Sequence, residues 1–292
     1  MAPDRLTAWA PAKINLFLHV GPVRPDGRHD LDSLVVFAGA QAADRLAVSA
    51  GKTTGISVTG PMAAGAGPDA DNLVLRAARA LAPDAALHFD LEKQLPSAAG
   101  IGGGSADAGA ALRLVIRWLG LDPARAEALA PGLGGDVLAC LHGVPLTMRG
   151  DGDRVTRLEP VLPPVPALVV NPGLACPTGP VFRQFDARGG GSGFAEIEIP
   201  AFTGAGALID WLAAETRNDL QAPAIDLVPQ IGDCLKRLAA LPGARLVRMT
   251  GSGATCFALF ESLETAHAAG ETLAQVAPDW WIRATMLGKG AT

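Results

Sequence analysis

Three stretches of this 292-residue sequence hold residue types suited to chemistry. The first is LPSAAGIGGGSADAGAALRLV, residues 95–115, where Gly100 and Gly102 to Gly104 fall within five positions. Glycine is costly to order, so this density signals backbone that must approach something closely. A strand followed by a glycine-rich loop and a helix offers unpaired N–H groups and the positive end of a helix dipole to an anion, phosphate above all. A plain linker is the alternative. The second stretch, APAKINLFLHV, places Lys13 and Asn15 on the same side of an otherwise apolar strand. A lysine buried there needs a partner, whereas one on an edge strand reaches solvent. The third is Asp136 in GLGGDVLACL, a carboxylate placed either to cap the helix that follows or to serve as a general base.

The elements that must position these residues follow from periodicity. Strands are expected over AKINLFLHV, DSLVVFA and GISVTG, joined by turns such as RPDG. DNLVLRAARALA has helical spacing through Leu73, Ala77 and Leu81, with Asp71 or Asn72 as the cap. ALHFDLEKQL alternates as a strand, with Leu87, Phe89 and Leu91 on one face, and runs into the glycine cluster. Strand-like VPLTMRG and ALVVNPG flank the proline-rich VLPPVP, where the domain transition is placed. Beyond it, helices are expected near 205–217, 226–241 and 263–276. LVRMTGSGATCFALF reads as two short strands around a Gly-Ser-Gly turn, WWIRATML as a final strand, and RGGGSGF as an exposed loop. The pattern is α+β and layered, not a doubly wound sheet.

Composition narrows the class. Charged residues are only 18% of the chain and the net charge is −5, with lysine and arginine scattered singly or in pairs. No basic stripe suited to nucleic acid is present. Lys13 and Asn15 interrupt the apolar run near the N-terminus, so no export signal is read there, and no stretch suits a membrane span. Cys140, Cys176, Cys234 and Cys256 are far apart, which favours free buried thiols in a reducing, cytoplasmic setting. Two common nucleotide fingerprints fail. The only Gly-Lys-Thr, at 51–53, has Leu46 where a Walker A loop needs its first glycine, and the dinucleotide pattern meets Ser105 after Gly100 and Cys256 after Gly251. Asp151 and Asp153 in RGDGDR start a calcium-like run that stops there, so they are read as a turn.

PSAAGIGGGSAD resembles the ATP-phosphate loop of the GHMP kinases. APAKINLFLHV and MTGSGATCFALF resemble the same superfamily's N-terminal and C-terminal motifs, in the right order across nearly the whole chain. The finer matches, including the D-G-x-H turn at 26–29, are to the branch that phosphorylates the C2 hydroxyl of a cytidine diphosphate ester of methylerythritol. The resemblance implies a GHMP kinase-like α+β architecture, with an N-terminal ribosomal protein S5 domain 2-like domain and a C-terminal ferredoxin-like domain. Residues 1–160 would bind ATP and carry catalysis, and residues 161–292 would contribute to substrate binding. ATP and Mg2+ are the implied cofactors, in a monomer or homodimer without nucleic-acid or membrane partners.

The resemblance also implies roles residue by residue. Asp136 would be the base, with Lys13 beside it helping to activate the hydroxyl. Pro96, Ser97, Ala98, Ala99, Gly100, Ile101, Gly102, Gly103, Gly104, Ser105 and Ala106 would form the nucleotide loop. Asn72 would lie near adenine, and Thr250 to Ala254 would support the loop. Asn15 would contact the alcohol, His29 would hydrogen-bond the cytosine, and Phe182 would stack on it with Thr178 nearby. Arg28 departs from the pattern, which usually has tyrosine there, and this chain contains no tyrosine. A planar guanidinium can still stack on a base. Two alternatives stay open: a kinase of another alcohol, of homoserine or mevalonate type, and a catalytically silent ATP-binding regulatory module.

Overall fold

The computed structural model describes residues 4–66, 71–159, 161–191 and 193–288. Up to residue 157 the strands are β1 (Leu6–Pro11), β2 (Lys13–Val23), β3 (His29–Phe37), β4 (Ala43–Ala50), β5 (Gly55–Thr59), β6 (Leu87–Glu92), β7 (Leu146–Gly150) and β8 (Arg154–Arg157). The helices of this part are α1 (Leu73–Leu81), α2 (Gly103–Leu119), α3 (Pro123–Leu133) and α4 (Val137–His142). Two four-stranded sheets result, in the orders β1-β4-β6-β5 and β2-β3-β7-β8. Leu87, Phe89 and Leu91 of β6 are buried in alternation with half-buried His88 and Asp90, as a strand covered on one face requires. They meet α1 and α2 through Val74, Leu81 and Leu112, each fully buried. Each such side chain contributes about 1.5–3 kcal/mol by leaving water.

The second half adds β9 (Val165–Asn171), β10 (Leu246–Met249), β11 (Cys256–Leu259) and β12 (Trp281–Leu287). Its helices are α5 (Thr178–Ala187), α6 (Ala205–Glu215), α7 (Gln221–Leu227), α8 (Gln230–Ala239) and α9 (Leu263–Val276). The strands form one antiparallel sheet, in the order β10-β11-β9-β12. Every residue of β9 is buried, because this sheet is covered on both faces. Ala167 and Val169 face a core shared with Ile14 and Leu16 of β2, while Leu168 and Val170 face α8 and α9. The chain order of strands and helices gives βαββαβ with several helices in the first crossover, the order of a ferredoxin-like unit. The expected domain border at residue 160 falls on a position outside those described.

Local departures from the periodicity have local causes. The single helix expected over 226–241 is two, α7 and α8, separated at Val228 and Pro229. Proline forces its predecessor out of the helical region, and Val228 adopts φ −135° and ψ 80°. Helix α5 is not among the helices expected from the sequence, and Gly179 and Pro180 stand at its start. Proline is well tolerated in a first turn, where its missing N–H has no partner to lose. All four cysteines are free and buried, as expected. Among the described residues, no helix is long and apolar enough to cross a membrane.

Candidate active site

Strand β6 ends at Glu92, and residues 93–102 turn beneath the start of α2. Gly100 (φ 73°) and Gly102 (φ 64°) adopt left-handed conformations that glycine reaches without strain, and Ala98 sits at φ 52°. Gly102 is the N-cap of α2, with no side-chain cap and no acidic residue in the first turn. The first N–H groups of this helix are thus left for an external acceptor. Gly103, Gly104 and Ser105 line a cavity of about 470 Å³. An uncapped 17-residue helix opening on a cavity fits a phosphate chain. Ile101 anchors the loop: its side chain is fully buried, and its carbonyl accepts from the Lys13 amide at 2.9 Å.

The same cavity is lined by Lys13, Asn15 and Asp136. Lys13 Nζ donates to Asp136 Oδ1 at 2.8 Å, joining residues 123 positions apart. The lysine side chain is 7% exposed and the carboxylate 34%, so the pair sits at the wall with its acid end open to the cavity. Asp136 occupies the N-cap position of α4 but makes no capping hydrogen bond; its carboxylate is turned to Lys13 instead. A Cβ on Gly102 would stand 3.5 Å from Lys13 Cβ and 3.6 Å from Asp136 Oδ2, so the pair abuts the glycine-rich loop. Asn15 is 4% exposed, and its Nδ2 donates to Ser33 Oγ at 2.8 Å. Its Oδ1 has no partner in the protein, which leaves an acceptor for a ligand hydroxyl. One turn beyond Asp136, burial pushes the Cys140 thiol up to about 12 and keeps it an inert neutral group.

A second cavity, of about 430 Å³, adjoins the first, and Leu31 and Phe182 line both. His29 forms its floor, buried to 7% exposure. Its Nδ1 donates to the Gly21 carbonyl at 2.9 Å, which leaves Nε2 as the ring's other hydrogen-bonding atom. The Phe182 ring lies 5.1 Å from the His29 ring at 35°, and Thr178, at the start of the same helix, shares a hydrogen bond of 2.9 Å with Ser252 Oγ. Arg28 lines this cavity with its side chain 68% exposed, and its guanidinium is paired with Asp151. Asp151 therefore does more than form a turn. It binds Arg28 and lies 3.6 Å from Arg24, and the Arg28 hydrogen bond holds its carboxyl below the ordinary carboxylate range. A pairing between residues 123 apart leaves no local trace in the sequence.

A third cavity, of about 230 Å³, shares Gly103 and Gly104 with the first and is lined also by Asn72, Ser97 and Asp107. Asn72 caps α1, its side chain accepting from the Val74 amide at 2.9 Å, while Nδ2 donates to the Ala66 carbonyl at 3.3 Å. Capping and lining the cavity are thus compatible. Sequence reasoning missed Lys93, Asp44 and Asp107, a buried network beneath the loop. Lys93 Nζ donates to Asp107 Oδ2 at 2.8 Å and to Asp44, whose other oxygen accepts the Leu95 amide at 2.8 Å. Burial pushes Asp107 well above the usual carboxylate range. Thr255 was missed too: its Oγ1 donates to the Ala99 carbonyl at 2.6 Å, tying the residue before β11 to the glycine-rich loop. Among the described residues, no group of three or more His, Cys, Asp or Glu side chains gathers to hold a metal. Ser105 and Asp136 supply oxygen donors at the first cavity.

Comparisons with known proteins agree with this arrangement. Residues 72–144 match the GHMP kinases N terminal domain, and residues 199–279 match the GHMP kinases C terminal family. The 4-diphosphocytidyl-2-C-methyl-D-erythritol kinase of Hyphomonas neptunium is 55% identical over 98% of each chain. That of Caulobacter sp. (strain K31) is 45% identical, over 97% of this chain and 99% of the relative. A crystal structure of 4-(cytidine 5'-diphospho)-2C-methyl-D-erythritol kinase superposes with a TM-score of 0.74 at 34% identity, covering 98% of this chain and all of the other. Homoserine kinase from Cytophaga hutchinsonii shares the fold at a TM-score of 0.60 and 19% identity, over 98% and 96% of the two chains.

Proposed function

We propose a function from the premise that the chain belongs to the 4-diphosphocytidyl-2-C-methyl-D-erythritol kinase family of the GHMP kinases. It is an ATP-dependent kinase that phosphorylates the C2 hydroxyl of 4-diphosphocytidyl-2-C-methyl-D-erythritol, a step of the methylerythritol phosphate route to isoprenoid precursors. The observation that carries this reading is the Lys13–Asp136 pair, 2.8 Å apart against the phosphate loop. Phosphoryl transfer is chiefly positioning and charge neutralisation, with a carboxylate to take or orient the attacking proton.

In this reading Asp136 accepts the C2 hydroxyl proton through the carboxylate edge that faces the cavity. Lys13 fixes the orientation of that carboxylate through their 2.8 Å hydrogen bond. Asn15 Oδ1, buried without a protein partner, accepts a hydrogen bond from the alcohol. The amides of Gly103, Gly104 and Ser105 bind the nucleotide phosphates, and residues 96–102 wrap them. ATP would supply the phosphoryl group, and a bound Mg2+ would supply charge neutralisation on the phosphates. Ser105 and Asp136 are the oxygen donors this chain offers toward the ion. Asn72 borders the adenine. His29 Nε2 meets the cytosine edge and Phe182 meets its face, with Thr178 in the wall of the first cavity.

Arg28 works differently from an aromatic clamp. Held by Asp151, its guanidinium forms the rim of the cytosine cavity rather than one side of a sandwich. Residues 1–160 carry the nucleotide loop and the base, and residues 161–292 bring Thr178, Phe182 and the 250–254 loop.

The test is ADP release by purified protein with Mg-ATP and, separately, the cytidyl methylerythritol, homoserine and mevalonate. Turnover is expected with the first alone. Preference for either other alcohol would overturn the substrate assignment, and no turnover with any would point to a silent nucleotide-binding module.

A further inference from the structure

We infer that Asn218 is a positioning residue for the nucleotide, although it lines neither the phosphate cavity nor the cytosine cavity. This rests on the reading above that residues 96–105 hold the nucleotide phosphates. The two glycine motifs of the chain touch backbone to backbone. A Cβ on Gly100 would come within 2.5 Å of the Gly253 carbonyl oxygen, and one on Gly251 within 2.7 Å of the Gly100 carbonyl oxygen. Gly251 also borders the first cavity, 3.5 Å from Asn15 Oδ1 by the same measure. Wherever residues 250–253 sit, the phosphate loop must follow.

Asn218 sets where they sit. Its Nδ2 donates to the carbonyls of Met249 at 2.7 Å and Gly251 at 2.9 Å, while its Oδ1 accepts from the Leu220 amide at 2.9 Å. The side chain is 8% exposed, and both its N–H donors and its carbonyl oxygen are engaged. A carboxamide of this length supplies two donors and an acceptor in one plane; an aspartate would turn oxygen toward two carbonyls, and a serine would supply one donor.

The residue is itself held by β2, the strand that carries Lys13 and Asn15. Leu18 N donates to the Arg217 carbonyl and Asp219 N to the Leu18 carbonyl, both at 2.9 Å, and Val20 N donates to Asp219 Oδ2 at 2.9 Å. Asn218 thereby references the 250–253 loop to β2, on which Lys13 and Asn15 lie. Asn15 N completes the link by donating to Thr250 Oγ1 at 2.8 Å.

The test is calorimetric affinity for a non-hydrolysable ATP analogue with Mg2+, alongside thermal unfolding, for the wild type, Asn218→Asp, Asn218→Ser and Thr216→Val. Thr216 serves as the control: it belongs to the same segment, and its hydroxyl bonds Leu212 and Arg248 but not the loop. Asn218→Asp should weaken nucleotide binding by about tenfold to a hundredfold, the range for stranding two buried carbonyls. Asn218→Ser should fall between it and the wild type, and it decides the matter if the aspartate variant does not fold. Thr216→Val should lose thermal stability with unchanged affinity. Affinity within threefold of wild type in the folded Asn218 variants, or an equal loss in Thr216→Val, would overturn the inference. A wild-type chain that binds no nucleotide would instead overturn the functional reading on which it rests.

Discussion

Replacing Gly100 by alanine tests the phosphate loop at its tightest point. The residue adopts φ 73°, and the new Cβ would lie 2.5 Å from Gly253 O, 3.0 Å from Gly253 N and 3.1 Å from Gly253 C. A left-handed conformation costs an alanine about 1–2 kcal/mol. Overpacking against atoms that cannot rotate away adds about 1–3 kcal/mol. The loop must therefore shift against residues 250–253, at a combined cost of about 2–5 kcal/mol divided between folding and nucleotide affinity. Since 1.4 kcal/mol is tenfold in affinity, a Kd at least tenfold weaker is expected. Gly103→Ala is the control. Its Cβ would point toward Leu95 and Lys93 with no heavy atom nearer than 3.7 Å, and alanine favours the helix by about 1 kcal/mol over glycine. Calorimetry with an ATP analogue and urea unfolding on both variants give the comparison. Unchanged affinity and stability in Gly100→Ala, or the larger loss in Gly103→Ala, would refute the reasoning.

Three further outcomes follow from the geometry. Asp136→Asn should retain nucleotide affinity, because the loop is untouched, while kcat falls by about 10²–10⁴ with the loss of the base; near-normal steady-state turnover would place the base elsewhere. Lys93→Met should cost about 3–5 kcal/mol in urea unfolding, because it strands the buried carboxylates of Asp44 and Asp107; a change below about 1 kcal/mol would mean the network is not held by the lysine charge. Burial, and then Arg217, push His19 below its ordinary 6.5, and its Nε2 accepts the Arg217 amide at 3.3 Å. As pH falls through 6.5 the unfolded chain takes up this proton before the folded one, so stability declines, by at most about 1.4 kcal/mol per pH unit for this group. Unfolding at pH values on either side of that window should show a smaller decline in His19→Gln than in the wild type, and an equal decline would assign the effect to other groups.

What the sequence reveals about the fold depends on how local each cause is. The β6–loop–α2 unit was legible because strand alternation, clustered glycine and helical spacing stand in one continuous stretch. Lysine in an apolar strand implied a partner, and the motif resemblance pointed to a residue 123 positions away, which the structure places at 2.8 Å. Helix α5 was hidden by Gly179 and Pro180, and α3 by Pro131 inside it, since local propensity speaks against helices that tertiary packing holds. The cavity rim was less legible still. Asp151 with Arg28, and Thr255 with Ala99, are pairings between distant residues whose types are common in turns and strands.

The most direct test of the central claim is where the transferred phosphate goes. Purified protein would convert 4-diphosphocytidyl-2-C-methyl-D-erythritol with Mg-ATP, and the product would be examined by proton-coupled phosphorus NMR. C2 carries a methyl group and no hydrogen, so a monophosphate there should appear as a singlet without three-bond proton coupling. A triplet would place the phosphate on the primary C1 hydroxyl and a doublet on the secondary C3 hydroxyl. Either pattern, or no new phosphomonoester at all, would contradict the assignment of this chain as the C2 kinase.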